Sequence, residues 1–357
     1  MTQITDSISP VIIGLDIGDR TTHCCMLQDR EVISRRIAKT THAGLDEALA
    51  DYPAARVVLE AGSQSPWLSR HLRARGFEVH VVDPRRVQLI SKDPRKTDRR
   101  DAEMLARLEH GMPELLGKVH HRGEQAQADL AMIRARDQLV RCRASLVQCT
   151  RSLCKAFGLR LPAASTAAFT KRVRDLVPQA LLPAIEVVLD QIKALSESIR
   201  ELDRRITKLA KDRYPEIDLL QQINGVGPVT ATAFVLTLED PSRFAESRRV
   251  GSWVGLCPRN HASGDRDPEL RISKSGDSYL RRLLVQCAQY MLGPFGKDSD
   301  LRRFGLRLAA RGGRANRKKA ATAVARKLAV LLHQVWSSAL VYEPLHNSNR
   351  QAATNAV

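Results

Sequence analysis

Ile185, Val188, Ile192, Leu195, Ile199, Leu202, Ile206 and Leu209 recur at steps of 3, 4, 3, 4, 3, 4 and 3. A straight helix drifts off such a stripe, so the spacing is satisfied when the helix coils against a partner along one seam. A weaker stripe precedes it, through Leu130, Ile133, Val140, Val147 and Cys154. Between the two, the stretch Gly158 to Pro183 contains Pro162, Pro178 and Pro183, which interrupt helix. The pattern predicts a long antiparallel helical hairpin over 121–213 that projects from the body. Such an arm reads as a spacer or dimerisation element, or else as a direct nucleic-acid contact.

Residues 11–120 follow a different rhythm. Val11 to Gly18 is an apolar run that closes on Asp16 and a glycine. His23 to Leu27 and Val32 to Ile37 follow as antiparallel strands, turning near Asp29-Arg30. Arg56 to Ala61 is another buried-type strand that ends in a carboxylate, Glu60. Trp67 to Arg75 has helical spacing, and Phe77 to Val82 returns as a strand before Pro84. Strand, helix and strand over so short a distance imply a parallel pair within an α/β sheet. The fold class expected is therefore α/β plus all-α.

The third region, 214–342, is helical with glycine-punctuated loops. From Leu301 to Tyr342 there is no acidic residue, while Arg302, Arg303, Arg307, Arg311, Arg314, Arg317, Lys318 and Lys319 fall within eighteen positions. The whole chain carries +18, from 57 Lys+Arg against 39 Asp+Glu. Cations this dense repel one another, so a polyanion is the better explanation than a solvated face. Nucleic acid is the first partner to consider and an anionic membrane surface the second. Aromatics at 4% argue against an RNA-binding sheet paved with rings.

Met1 to Pro10 is polar and lacks the pattern of a signal peptide, and Leu328 to Tyr342 is too short and too polar to span a bilayer. The seven cysteines form no C-x-x-C pair and read as reduced thiols. The expectation is a cytoplasmic protein without a membrane partner, ending in a disordered tail over 343–357.

Four carboxylates share a chemistry. Asp16 and Glu60 end strands, and Asp98 and Asp101 open a helix within Lys96-Thr97-Asp98-Arg99-Arg100-Asp101-Ala102. The i, i+3 spacing puts both aspartates on one helical face, with Thr97 or Asp98 as cap. Each alone is an ordinary strand end or cap. Together they suggest hard-oxygen ligands for Mg²⁺, and two ions about 4 Å apart can clamp a phosphodiester. A second signal is Ile223-Asn224-Gly225-Val226-Gly227-Pro228, which looks like a helix-hairpin-helix turn, or equally an ordinary helix-helix turn. A third is Gly255-Leu256-Cys257-Pro258, followed by Ser263-Gly264 and Ser273-Lys274-Ser275-Gly276. Taken alone, Ser263 is a loop serine beside His261, and Lys274, Arg281 and Arg282 are surface cations or phosphate contacts.

These motifs, in this order from about 11 to 340, resemble the DEDD transposases of the insertion-sequence-110 family. The resemblance implies an RNase H-like (RuvC-like) N-terminal domain, a coiled-coil insertion and a helical C-terminal transposase domain with a catalytic serine. It implies a metal site at Asp16, Glu60, Asp98 and Asp101, and Ser263 as the nucleophile that attacks DNA. It further implies a bridge RNA that pairs with donor and target DNA. It implies a homo-oligomer, dimer or tetramer, with active sites composed from different protomers. Glu60-Ala61-Gly62-Ser63 departs from the Glu-x-Thr-Gly common in that family. The nucleic-acid contacts expected are Gly225, Gly227, Lys274, Arg281, Arg282, Arg311, Arg314, Arg317, Lys318 and Lys319. Three other readings compete. One is a junction nuclease without serine chemistry. Another is a non-catalytic nucleic-acid scaffold. The last is an actin-like kinase, which would need a second Asp-x-Gly strand and an adenosine loop.

Overall fold

The computed structural model of the chain describes residues 10–90, 97–260 and 270–349. The chain divides into two compact units, the boundary falling between Arg122 and Gly123.

The first unit is built on five strands: β1 (Ile12–Ile17), β2 (Thr21–Gln28), β3 (Glu31–Lys39), β4 (Arg56–Glu60) and β5 (Glu78–Val82). Their order is β3-β2-β1-β4-β5. β1, β2 and β3 pair antiparallel, whereas β4 lies parallel to both β1 and β5. Asp29 and Arg30 turn β2 into β3 with φ of 46° and 70°, as a tight two-residue hairpin requires. The mixed sheet is the architecture an RNase H-like domain needs.

Helices cover both faces of the sheet. Residues Ile13, Leu15, Val57 and Leu59 point one way, into a core completed by α1 (His42–Leu49) and α2 (Ser65–Ala74). Ile12 and Val58 point the other way, onto α3 (Pro84–Ile90) and α4 (Asp98–Gly111), where Leu105 and Ala106 meet them. α1 is not legible in the sequence. Its apolar positions Leu45, Ala48 and Leu49 are too few to show a period, and Thr41 caps it by accepting from Gly44 N.

The second unit contains the hairpin. α5 (Glu124–Ala156) and α7 (Leu182–Arg213) are joined across α6 (Thr166–Val173). Arg213 pairs with Asp129, Arg136 with Asp203, and Arg143 donates to Ser196. Partner numbers fall as α5 rises, so the helices run antiparallel. Ile185, Ile192, Ile199 and Ile206, one heptad apart, are all buried. At the far end Cys154, Phe169, Val173 and Ile185 form a small separate core.

The base of the hairpin does not stand apart from the C-terminal helices. Ala126, Leu130, Ile133, Ile206 and Ala210 share one core with α8 (Glu216–Gln221), α9 (Pro228–Leu238), α10 (Arg248–Trp253), α11 (Ser278–Leu292), α12 (Asp300–Ala309) and α13 (Gly313–Ser338). Residues 343–349, assigned to the tail, are in part held. Asn347 N and Ser348 N donate to the Asp300 carboxylate, at 2.7 and 3.3 Å. Among the described residues no helix is long and apolar enough to cross a membrane. No cysteine is in a disulfide, and burial pushes the Cys24 thiol up to about 12.

Candidate active site and nucleic-acid surface

Strand register places two of the four carboxylates side by side. β1 and β4 are parallel, with Ile12 opposite Arg56 and Leu15 opposite Leu59. The next pair along is Asp16 and Glu60, at the same sheet end. Side chains alternate along a strand, so Asp16 shares a face with Gly14 and Ile12, and Glu60 with Val58. That is the face covered by α4.

The helix supplies the other two. Thr97 caps α4 in extended conformation, its hydroxyl accepting from Arg100 N, so Asp98 and Asp101 lie in the first turn. Two acids there also suit the helix dipole, which is the ordinary reason to find them. What sets this helix apart is how closely it lies on β1. A Cβ on Gly14 would stand 1.9 Å from Ala102 O and 2.8 Å from Ala106 N. Only glycine permits that approach, and Ala102 is one turn beyond Asp98.

His23, which the sequence marks only as a strand residue, ties the two parts together. His23 stands opposite Asp16 in the β1–β2 ladder. Its Nε2 lies 3.7 Å from an Asp98 carboxylate oxygen. Asp98 is otherwise largely exposed, at 74%. Such a pair contributes little stability, but it shows Asp98 lying beside the strand pair that carries Asp16. The three-residue connection Gly18 to Arg20, closed by Gly18 N donating to Thr21 O at 2.9 Å, sets 23 against 16.

Among the described residues no three His, Cys, Asp or Glu side chains are gathered tightly enough to hold a metal ion. Asp16 and Glu60 share a sheet face and a sheet end, α4 with Asp98 and Asp101 in its first turn packs on that face, and carboxylate oxygens are of the kind Mg²⁺ prefers. In donor chemistry they suit a divalent cation.

The loop after Glu60 is braced from below. Ser65, fully buried, accepts from Gly62 N and donates to Gly62 O, each at 2.9 Å. With its one proton used, it accepts from His121 Nε2 at 2.8 Å. Burial, then the cations Arg73, Arg70 and Arg122, hold the His121 imidazole down at about 4.

Ser263 and His261 lie outside the described residues. Their flanks are described. Pro258 bridges Ile272, Arg259 N donates to Arg271 O at 3.0 Å, and Ser273 N to Cys257 O at 2.8 Å. A Cβ on Gly276 would stand 2.1 Å from Trp253 O, so the two glycine motifs read from the sequence clasp each other. Arg281 donates to Val254 O and Ser275 O, at 3.0 and 2.6 Å. Arg282 pairs with Asp137 at 2.6 Å and lies over the Tyr279 ring. Both arginines, expected as phosphate contacts, are engaged inside the second unit. Lys274 is exposed, with φ of 58°.

The remaining cations lie where a polyanion can reach them. Arg311 precedes α13, and Arg314, Arg317, Lys318 and Lys319 fill its first two turns, all exposed. The helix buries itself only from Ala320 onward. At the other glycine turn, Gly225 has φ of 90°, and Gly227 leads into α9 with Pro228 at its first position. Thr230 to Leu238 are buried without a break, so α9 offers only its exposed N-terminal end.

The chain is similar to known proteins along most of its length. Residues 217–300 match the profile described as the transposase IS116/IS110/IS902 family, and residues 13–157 match a DEDD transposase profile of the IS110 type. The transposase for insertion sequence element IS1328 of Yersinia enterocolitica is 30% identical over 286 residues, 78% of this chain and 83% of its own length. A probable family 20 transposase of Pseudomonas aeruginosa is 30% identical over 341 residues, 93% of this chain and 98% of its own. A pilin gene-inverting protein of Moraxella lacunata is 30% identical over 151 residues, 41% of this chain and 45% of its own.

Proposed function

The chain belongs to the IS110 family of DEDD transposases and is a DNA transposase; from that premise we propose that it exchanges DNA strands through a carboxylate-held divalent metal and a serine nucleophile. The observation that carries the proposal is the shared face of Asp16, Glu60 and the first turn of α4, closed down by Gly14.

Asp16, Glu60, Asp98 and Asp101 would hold Mg²⁺, in two ions. When bound, the metal polarises the scissile phosphate and stabilises charge on the departing oxygen. The chain's own part is nucleophilic. Ser263 Oγ attacks phosphorus, so the Oγ–P bond forms as the bond to the 3′-oxygen breaks, and the serine's proton ends on that oxygen as a free 3′-hydroxyl. A 3′-hydroxyl from another strand then attacks the phosphoserine ester and releases the serine. The ester conserves the bond energy, which is why no nucleotide triphosphate is required. Thr97 and Gly14 position the acidic helix, and the Ser65–His121 pair positions the Glu60 loop.

Guidance by a bridge RNA, pairing with donor and target DNA, belongs to the same reading, as does an oligomer with catalytic groups from different protomers. The exposed cations from Arg311 to Lys319, and the Gly225–Gly227 turn, are the surfaces for nucleic-acid backbone. Recovery and sequencing of RNA that co-purifies with the protein tests the guidance. One structured RNA from beside its own gene is the expected result, and a random sample of cellular RNA would remove guidance from the account.

A further inference from the structure

Exposed aromatic rings are scarce in this chain, yet two of them are stacked together. Tyr290 and Phe295 lie with centroids 6.5 Å apart and planes at 23°. Phe295 is 75% exposed and Tyr290 46%. The backbone that presents Phe295 is rigid: Gly296 N donates to Gly293 O at 3.3 Å, and Arg302 Nη1 donates to Gly293 O at 2.7 Å and to Met291 O. A large apolar ring fixed in water gains nothing for the fold, while a binding surface gains from a ring whose ordering cost is already met.

The surroundings identify the occupant. The ring pair adjoins the glycine turn between α8 and α9, where a Cβ on Gly225 would stand 3.0 Å from Tyr290 Cδ1. Lys297 N donates to Asn224 Oδ1 at 3.0 Å, which ties the aromatic turn to that same hairpin. Across 270–342 there are fifteen Lys and Arg and three Asp. Asp277 pairs with Arg134, Asp298 with Arg303, and Asp300 receives the backbone of 347–348. Lys297, two residues beyond Phe295, is exposed at this turn, while the rings themselves offer a π-face. A ligand with alternating phosphates and flat bases meets both requirements.

We propose that Tyr290 and Phe295 form a stacking platform for an unpaired nucleobase, the flanking phosphates being taken by Lys297 and the Gly225–Gly227 turn. The proposal rests on the reading of this chain as a protein that acts on nucleic acid. It adds strand state: the platform takes single-stranded or splayed nucleotides and ignores paired ones, because a base within a duplex has no free face.

The test is equilibrium binding of the full chain to a 2-aminopurine-labelled oligonucleotide. The probe is prepared as single-stranded DNA, as RNA of the same sequence, and as a blunt duplex. Phe295→Ala is expected to weaken single-strand binding roughly tenfold, one base's worth of stacking, and to abolish the quenching of 2-aminopurine. Duplex affinity and its salt dependence stay unchanged, and Phe295→Trp retains single-strand binding. The DNA and RNA arms show which strand supplies the base. Equal loss for single strand and duplex overturns the platform. So does unchanged single-strand binding, and if it comes with an altered elution volume in gel filtration, the rings contact a second copy of the chain. Wild-type protein that binds no probe would instead overturn the functional reading beneath it.

Discussion

Gly14 and Ala102 touch backbone to backbone: a Cβ on Gly14 would stand 1.9 Å from the Ala102 carbonyl oxygen. This contact sets how near the acidic turn of α4 comes to Asp16. Gly14→Ala should push α4 off β1, at a cost of about 1–3 kcal/mol typical of overpacking. Urea unfolding should show the lowered midpoint, and metal-dependent strand cleavage should be lost beyond what the residual folded fraction explains. A variant with full activity would show that the approach of α4 is dispensable.

His23 touches Asp98 and faces Asp16. Groups that orient metal-holding side chains typically matter ten- to a hundred-fold. His23→Ala should reduce cleavage by at least about tenfold and raise the Mg²⁺ concentration for half-maximal rate. Its thermal midpoint should change little, since the Asp98 end of the pair is exposed and the contact is long. An unchanged metal requirement would leave His23 as an ordinary strand residue.

The Ser65–His121 pair makes stability depend on pH. His121 is held at about 4 in the folded chain, against 6.5 for the free group. Between those values the unfolded chain binds a proton that the folded chain refuses. The stabilisation is thus complete above pH 6.5, declines as pH falls toward about 4, and is level below. Thermal midpoints of wild type should fall across that window more steeply than those of His121→Gln. Parallel curves would show that His121 titrates normally.

The exposed start of α13 should carry a countable share of the electrostatics. Replacing Arg314, Arg317 and Lys318 by Gln removes three cations that have no acidic neighbour in sequence. Each lost phosphate contact lowers the slope of log K against log salt by about 0.9 on duplex DNA. The triple variant should therefore show a slope shallower by roughly 2–3, with little change in thermal midpoint. An unaltered slope would place the DNA elsewhere.

The legible parts of the molecule were those with a repeat or a strong local rule. The seam from Ile185 to Leu209 was legible because a seven-residue spacing demands a helical partner along one stripe. β1, β4 and β5 were legible because buried parallel strands are unbroken apolar runs. The sharing of one core by the hairpin base and the C-terminal helices was not, since Ala126 and Ile217 meet only through the tertiary fold. His23 was read as a strand residue, but its tie to Asp98 depends on register across a hairpin and on a helix seventy residues away. Arg281 and Arg282 looked like free cations because their partners, the carbonyls of Val254 and Ser275 and the carboxylate of Asp137, are invisible in local sequence.

The central claim joins the carboxylate face to serine chemistry, and one denaturing gel addresses both. Wild-type protein, Mg²⁺ and a labelled donor DNA should give a protein–DNA adduct that survives boiling in detergent. Ser263→Ala should give none, and Asp98→Asn, although folded, should give none either. An adduct of wild-type yield in Ser263→Ala would contradict the account, because the phosphate would then be held by some other side chain.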